Sequence, residues 1–439
     1  MTLWLYRLIL IVLFPVFVYS AWKRCRKSRA FQPAIRACFK ARFGLNPSAF
    51  QTGGIWIHAV SVGETRSIFP LLSALHARFP DLPLTVTSGS TQGALQALKF
   101  SPVPIQHQMI PYDFPFAVNR FLRQIQPRLV IMIETEIWPN LYQACHRQQI
   151  PLVLANARLK QRSFEAYQKW GGKLLTQALN QTAWIGAQFE IDREHFLRLG
   201  AAPERLLTLG NLKFDLAIPA DLSQQAQRWR AQFSLQQRFI WVAASTHEGE
   251  ETQMLQAHQR LLQQRPDALL ILVPRHADRF ERVAQIVKQH PFTFSRRSNK
   301  QSIDQQTRVY LADTIGELML WFAASDVAFI GGSLVEFGGH NILEPAALAK
   351  PVISGIHHQN LQALYDSFKQ QQAITLVGDV QQLAEQLIAF SQSDALCEQK
   401  GVQAFHCFEQ QTGALARTLS HLTPLISRPA NNQQAHKAS

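Results

Sequence analysis

A series of short apolar runs, separated by residues at helical spacing, limits what this chain can fold into. In the first half the runs are Gly54 to Ala59, Leu84 to Thr87, Leu129 to Ile133, Leu152 to Leu154 and Ala183 to Gly186. In the second half they are Phe239 to Ala243, Leu269 to Val273, Val327 to Ile330 and Val352-Ile353. Runs this short and this apolar predict strands buried on both faces. Between them, stretches such as Ser67 to Phe79 and Ala117 to Ile125 place apolar residues at helical spacing, which builds β-α-β units and a parallel sheet. The series breaks after Asp215, where Ala217 to Gln237 carries proline, many glutamines and no strand pattern, and then restarts. The pattern predicts an α/β protein of two doubly wound, Rossmann-like lobes facing across a cleft. The first lobe covers residues 30–215, a linker and first helix 216–236, the second lobe 237–428, and a polar tail 429–439. A length of 439 residues agrees, because single cores stop growing near ~250–300 residues. Such sheets hold ligands outside the carboxyl ends of their strands, so the chemistry is sought there.

The net charge of +14 requires an anionic partner: nucleic acid, membrane or a phosphorylated substrate. Its distribution points to lipid. From Leu3 to Ala21 the chain is almost wholly apolar, interrupted by Arg7 and Pro15, and Lys23, Arg24, Arg26, Lys27 and Arg29 follow at once. About 20 apolar residues span a bilayer, and cations on one flank stay at the anionic cytoplasmic face. Residues 1–29 therefore predict a retained membrane-anchoring helix with a basic juxtamembrane segment, since no small-residue cleavage site precedes the cluster. A helix lying among the headgroups is the alternative. The cations are not interleaved with aromatics on a recognisable nucleic-acid module, so no nucleic acid is expected. Cys25, Cys38, Cys145, Cys397 and Cys407 show no paired spacing and no adjacent histidine cluster. Neither a disulfide framework nor a zinc site is expected, and a reducing cytoplasm fits.

Unusual residues gather at the strand ends. Ser61-Val62-Gly63-Glu64 sets a glutamate in the first turn of a helix, either as a cap favoured by the helix dipole or as a general base in a cleft. Glu134-Thr135-Glu136 ends another run; acids two apart on a strand point to opposite faces, one into the cleft and one into a structural pair. Lys213 lies just before the linker, with Asp215 as its nearest acid in sequence. In the second half, Ser245 to Glu251 follows a strand and can simply cap a helix. Pro274-Arg275-His276 offers an arginine for a phosphate or for a salt bridge. Gly331 to Ala346, G-G-S-L-V-E-F-G-G-H-N-I-L-E-P-A, holds four glycines after a buried run. Its second glycine pair predicts free amides at a helix start, an anion site, and Glu344 lies three residues past Asn341, placed to accept bonds from ribose hydroxyls. The spacing matches neither G-x-G-x-x-G nor a P-loop.

In order along the chain stand S-V-G-E-T from Ser61, E-T-E-I-W-P-N from Glu134, N-A-R-L from Asn156, L-K-F-D from Leu212, S-T-H-E-G-E-E from Ser245, V-P-R-H from Val273 and G-G-S-L-V-E-x-G-G-H-N-x-L-E from Gly331. Together they resemble the 3-deoxy-D-manno-octulosonic acid (Kdo) transferases, over Ser61 to Glu344. The resemblance implies a GT-B glycosyltransferase at the inner membrane, its lobes on the cytoplasmic side, that moves Kdo from CMP-Kdo to the lipid A precursor (lipid IVA) with inversion. It makes Glu64 the proton acceptor, with Glu134 and Lys213 stabilising the transition state. CMP would be held by Pro274 and Arg275, by Gly316, Glu317 and Leu318, and by Asn341, Ile342, Leu343 and Glu344. Without the resemblance, Asp313 to Leu318 reads only as a capped helix start. The implied partners are CMP-Kdo, the lipid A precursor and anionic inner-membrane lipid. No cofactor and no metal are expected, because a CMP-linked donor carries one phosphate, within reach of protein cations. Asn211 stands where serine is common in the family, and Phe337 where a charged residue is common. A GT-B enzyme using a UDP-sugar and a non-catalytic, basic, membrane-tethered binding protein are the competing readings.

Overall fold

A computed structural model describes residues 1–27, 35–45, 50–215 and 218–427. The chain divides into two compact units, one of Met1–Asp215 with the chain from Thr412, the other of Leu216–Gln411. The helix Ala414–Ile426, which the sequence pattern leaves at the end of the second lobe, packs Ala414, Leu422 and Ile426 into a core of the first.

Each unit carries one parallel, seven-stranded sheet. The first comprises β1 (Ile55–Ala59), β2 (Leu84–Ser88), β3 (Gln106–Met109), β4 (Leu129–Ile133), β5 (Leu152–Ala157), β6 (Ile185–Ala187) and β7 (Leu206–Thr208), in the order 3-2-1-4-5-6-7. The second comprises β8 (Ile240–Thr246), β9 (Leu269–Pro274), β10 (Thr293–Arg296), β11 (Thr307–Leu311), β12 (Val327–Ile330), β13 (Val352–Gly355) and β14 (Thr375–Val377), in the order 10-11-9-8-12-13-14. In each the chain walks out from a central strand to one edge and returns to fill the other side. The switch points lie between β1 and β4, and between β8 and β12, where sheets of this kind open a ligand crevice.

Alternation along the central strands divides the first unit's core in two. Ile55, Ile57 and Ala59 of β1, with Leu129, Ile131 and Ile133 of β4, pack beside Leu71, Leu72 and Leu75 of the helix Phe69–Arg78. Trp56, Val130 and Met132 face the opposite way, onto Phe121, Leu122 and Ile125 of the helix Pro115–Ile125. Covering both faces explains why these strands are apolar at nearly every position. The strands absent from the sequence pattern are β3, β7, β10, β11 and β14, and four of them are sheet edges.

The N-terminus corrects two expectations. In place of one anchoring helix there are two, Leu3–Val12 and Phe14–Lys27, bent by 61°. No single helix among the described residues is long and apolar enough to cross a membrane, although the bent pair together has the length and composition. Pro15 accounts for the break: it has no N–H for the carbonyl four residues back, and its ring crowds that carbonyl. The first helix is fastened to its unit by Tyr6, whose hydroxyl donates to Asp113 at 2.9 Å, and by Arg7, whose Nε donates to Asn140 at 2.7 Å. Cys25 and Cys38 form a disulfide with Cα atoms 5.9 Å apart, so the cysteine-based expectation fails. Pairing depends on spatial approach of the Cα atoms, which linear spacing does not reveal. Arg29 of the basic cluster and the tail 429–439 lie outside the described residues.

Candidate active site

Glu64 stands just past β1, in the helix Val62–Ser67. Ser61 and Glu64 form a capping box: Glu64 N donates to Ser61 Oγ at 3.2 Å, while Ser61 Oγ and the Val60 amide each donate to one carboxylate oxygen at 2.8 Å. The cap is therefore real, but it does not exhaust the residue. Burial pushes the Glu64 carboxyl above the usual carboxylate range; its two hydrogen bonds pull it back, Glu134 raises it further and Lys213 lowers it. A carboxylate of raised pKa is the better proton acceptor.

Glu134 follows β4 with φ 61°, a left-handed conformation that costs a non-glycine residue about 1 kcal/mol or more. That twist ends the strand's alternation, and the two acids take different partners, Glu134 the Lys213 ammonium and Glu136 the interior. Glu136 accepts from Trp138 Nε1 at 2.7 Å, and its carboxyl is raised by burial and then by Glu64 and Glu134. Beneath it His58, fully buried and hydrogen-bonded through Nδ1 to Thr87 at 3.0 Å, is pushed down to about 3 by desolvation and stays neutral. Glu134 thus acts electrostatically on both Glu64 and Glu136 at the first switch point.

One lysine answers them. Lys213 Nζ lies 2.7 Å from Glu134 Oε1. Asp215, the partner suggested by sequence proximity, instead accepts from the amides of Gly413 and Leu415 at the start of the returning helix. The short turn Leu212–Phe214 is held by side-chain amides. Asn156 Oδ1 accepts from the Leu212 amide at 3.0 Å, Asn211 Oδ1 from the Lys213 amide at 2.9 Å, and Asn211 Nδ2 donates to Gln188 Oε1 at 2.9 Å. Asn211 thus fills the capping role that a serine could also fill.

The second unit's candidates lie on neighbouring strand ends of its own sheet. Pro274 closes β9, and Arg275 follows it exposed, with its amide donating to Thr246 O at 3.1 Å. Gly316, Glu317 and Leu318 follow β11. Glu317 is gripped by both arms of Arg297, at 2.6 and 3.1 Å, and by Thr314. Its side chain is committed to the protein, leaving bare backbone at Gly316, whose φ is 91° and where a Cβ would meet nothing within 4 Å.

The glycine run after β12 works differently from the expectation. The amides of Gly332, Ser333 and Leu334 do form an anion nest, but its anion is the chain's own Glu250, at 2.6, 3.0 and 3.0 Å. A Cβ on Gly331 would lie 2.9 Å from that carboxylate and 2.7 Å from Ser245 O. In the second glycine pair, the Gly339 amide donates to Gly332 O at 2.7 Å. Further along, the chain enters the helix Leu343–Ala347, where Asn341 Oδ1 caps the Leu343 amide at 3.2 Å. Burial raises the Glu344 carboxyl and Arg275 offsets part of that rise, so these two candidates feel each other. Asn341, Ile342, Leu343 and Glu344 are thereby brought to the same sheet edge as Arg275. Sequence reasoning missed Asn156, Gln188 and Glu250 as site-building residues; two of them lie inside the quoted motifs, which was the available signal.

Residues 37–216 match the family model described as 3-Deoxy-D-manno-octulosonic-acid transferase (kdotransferase). The 3-deoxy-D-manno-octulosonic acid transferase of Haemophilus influenzae is 38% identical over 399 residues, 90% of this chain and 93% of that one. The chain belongs to the 3-deoxy-D-manno-octulosonic acid transferase family. The Bordetella pertussis member is 33% identical over 366 residues, covering 81% of this chain and 84% of that one. Among solved structures, a glycosyltransferase from Rickettsia africae ESF-5 shares the fold at 12% identity, with a TM-score of 0.56 over 87% of this chain and all of that one. Two parallel-sheet units are consistent with GT-B architecture, and membership of the family makes this Kdo transferase relative a glycosyltransferase.

Proposed function

We propose that the protein transfers Kdo from CMP-Kdo to the lipid A precursor with inversion, Glu64 accepting the proton of the attacking sugar hydroxyl. The single observation that carries this reading is the grouping of Glu64 with Glu134 and Lys213 at the first switch point. As the hydroxyl oxygen bonds to the Kdo anomeric carbon, its proton passes to Glu64 and the bond from that carbon to the phosphate oxygen breaks, releasing CMP. Glu134 stabilises the positive charge that develops on the sugar, and Lys213 holds Glu134 in place and meets negative charge. Arg275 and the amides entering the helix Leu343–Ala347 receive the phosphate, which grows more anionic as it leaves. Pro274, Gly316, Glu317 and Leu318 border the nucleotide, with Glu344 on the ribose.

The bent N-terminal pair anchors the protein to the inner membrane by lying in the headgroup region, with the lobes on the cytoplasmic side. Trp4, Ile11, Val12, Val16 and Trp22 are exposed apolar residues on these helices, and Lys23, Arg24 and Arg26 supply the cations that anionic lipid attracts.

A membrane-fraction assay with CMP-Kdo and a tetraacylated lipid A precursor, read by product mass, tests the reading. A product heavier than the acceptor by one or more Kdo units is expected. Transfer from a UDP-sugar with none from CMP-Kdo would overturn it.

A further inference from the structure

Three histidines gather at the C-terminal edge of the second sheet, and the mechanism above uses none of them. His247 follows β8, His276 follows Arg275 after β9, and His340 follows the glycine pair after β12. The Nε2 atoms of His247 and His340 lie 2.8 Å apart. Their rings are nearly parallel, 14° apart with centroids at 5.0 Å, and Phe337 stacks on His247 at 3.7 Å. His276 meets His247 edge-on at 5.6 Å.

The surroundings hold this arrangement in place. Tyr365 donates to His340 O at 3.0 Å. Gly332 has φ 67°, and a Cβ there would press to 3.1 Å on both the His340 ring and Phe337. A larger residue at 332 would therefore break the stack. The pair joins the loops after β8 and β12, the two strands that flank the switch point.

Two ring nitrogens at hydrogen-bond distance share one proton, so one Nε2 donates and the other accepts. The accepting ring must then carry its own proton on Nδ1. That is the usual way a neighbour sets a histidine tautomer. Burial, followed by Arg275, His247 and His276, pushes His340 down to about 4, so it works as a neutral imidazole.

We propose that His247 donates its Nε2–H to His340 Nε2, and that His340 thereby presents Nδ1–H to a phosphate oxygen of the nucleotide donor. His340 is then a donor-binding residue whose bond strengthens as the phosphate departs, and His247 is a positioning residue that acts through it. The proposal rests on the placement of the nucleotide beside Arg275 and Asn341 to Glu344. It assigns a role to Phe337 as well: its ring covers the outer face of His247 and keeps water from competing for the pair.

The test compares CMP binding by calorimetry with transfer kinetics in the full-length enzyme. Removing a hydrogen bond to a charged group typically costs on the order of tenfold in affinity or more. His340→Ala should weaken CMP binding by that amount and lower kcat further. His340→Asn, whose side-chain amide places an N–H near the Nδ1 position, should recover most of the loss. His247→Phe keeps the stack but removes the donor, and should reproduce the loss of kcat with the melting temperature nearly unchanged; His247→Gln, which retains an N–H, should be milder. Unchanged CMP affinity in both His340 variants would overturn the proposal. So would a loss seen for CMP-Kdo but not for CMP, since the contact would then be to the sugar carboxylate. If the wild-type enzyme itself fails to bind CMP, the functional reading fails first, and with it this inference.

Discussion

The two units place charged residues at the same point of the same kind of sheet and leave opposite groups available. At the first switch point burial and the charge of Glu134 raise the carboxyls of Glu64 and Glu136, and Lys213 is the cation that pairs directly with Glu134. At the second, three of the acids are consumed by the protein. Glu250 sits on four amides, those of His247, Gly332, Ser333 and Leu334, Glu251 on both arms of Arg279, and Glu317 on both arms of Arg297. What remains is Arg275, Glu344 and the histidine pair. One site is suited to take a proton and the other to receive a phosphate. Composition alone does not separate them, because both are rich in glutamate; the hydrogen-bond partners do.

The largest effect should come from the proton acceptor. Glu64→Gln keeps the capping box, which accepts glutamine as well as glutamate, and should lower kcat by about 100-fold or more with CMP affinity unchanged. Near-normal turnover would remove Glu64 from that role. Lys213→Met breaks the pair with Glu134 and should reduce kcat on the order of 10- to 100-fold. Lys213 lowers the Glu64 pKa, so its removal disfavours the carboxylate, and the acid limb of the rate profile should move to higher pH. A limb that stays in place would separate the two residues.

In the second unit the contrast is probed by stability. Glu250→Gln leaves four buried amides sharing one neutral oxygen and should cost about 2–3 kcal/mol, a fall in melting temperature of roughly 5–10 °C. Arg275→Ala, an exposed residue, should instead weaken CMP binding by about tenfold at nearly constant melting temperature. An exchange of these two outcomes would reverse the roles assigned to the groups. The smallest expected effect is none: a chelator should leave transfer unchanged, and activity lost in chelator and restored by magnesium would contradict donor binding by protein cations alone.

The central strands were legible in the sequence because burial on both faces forces apolar runs. β4 and β8 are buried at every position, whereas β10, Thr293-Phe294-Ser295-Arg296, is buried at only one. Edge strands meet solvent on one side and lose the pattern, which is why β3, β7, β10 and β14 escaped notice. The acids and the lysine of the first site were legible as motif residues, but their partnerships were not. Lys213 pairs with Glu134, 79 positions away, while Asp215, only two away, caps a helix that returns to this unit from the far end of the chain. The glycine run was legible as bare backbone, but the nest forms at its first glycine pair and not at its second, and nothing local showed that Glu250 fills it. Pro15 was visible in the apolar N-terminal stretch, and its consequence, a bend in place of a straight anchor, followed from the missing N–H.

The division of labour is tested most directly by amide hydrogen exchange with and without CMP, a ligand that carries the nucleotide but not the sugar. Protection is expected in residues 274–277, 313–318 and 338–344 of the second unit, with 60–66 and 134–140 of the first unchanged. Protection of the first unit's segments, with none around Arg275, would contradict the assignment of the nucleotide to the second unit.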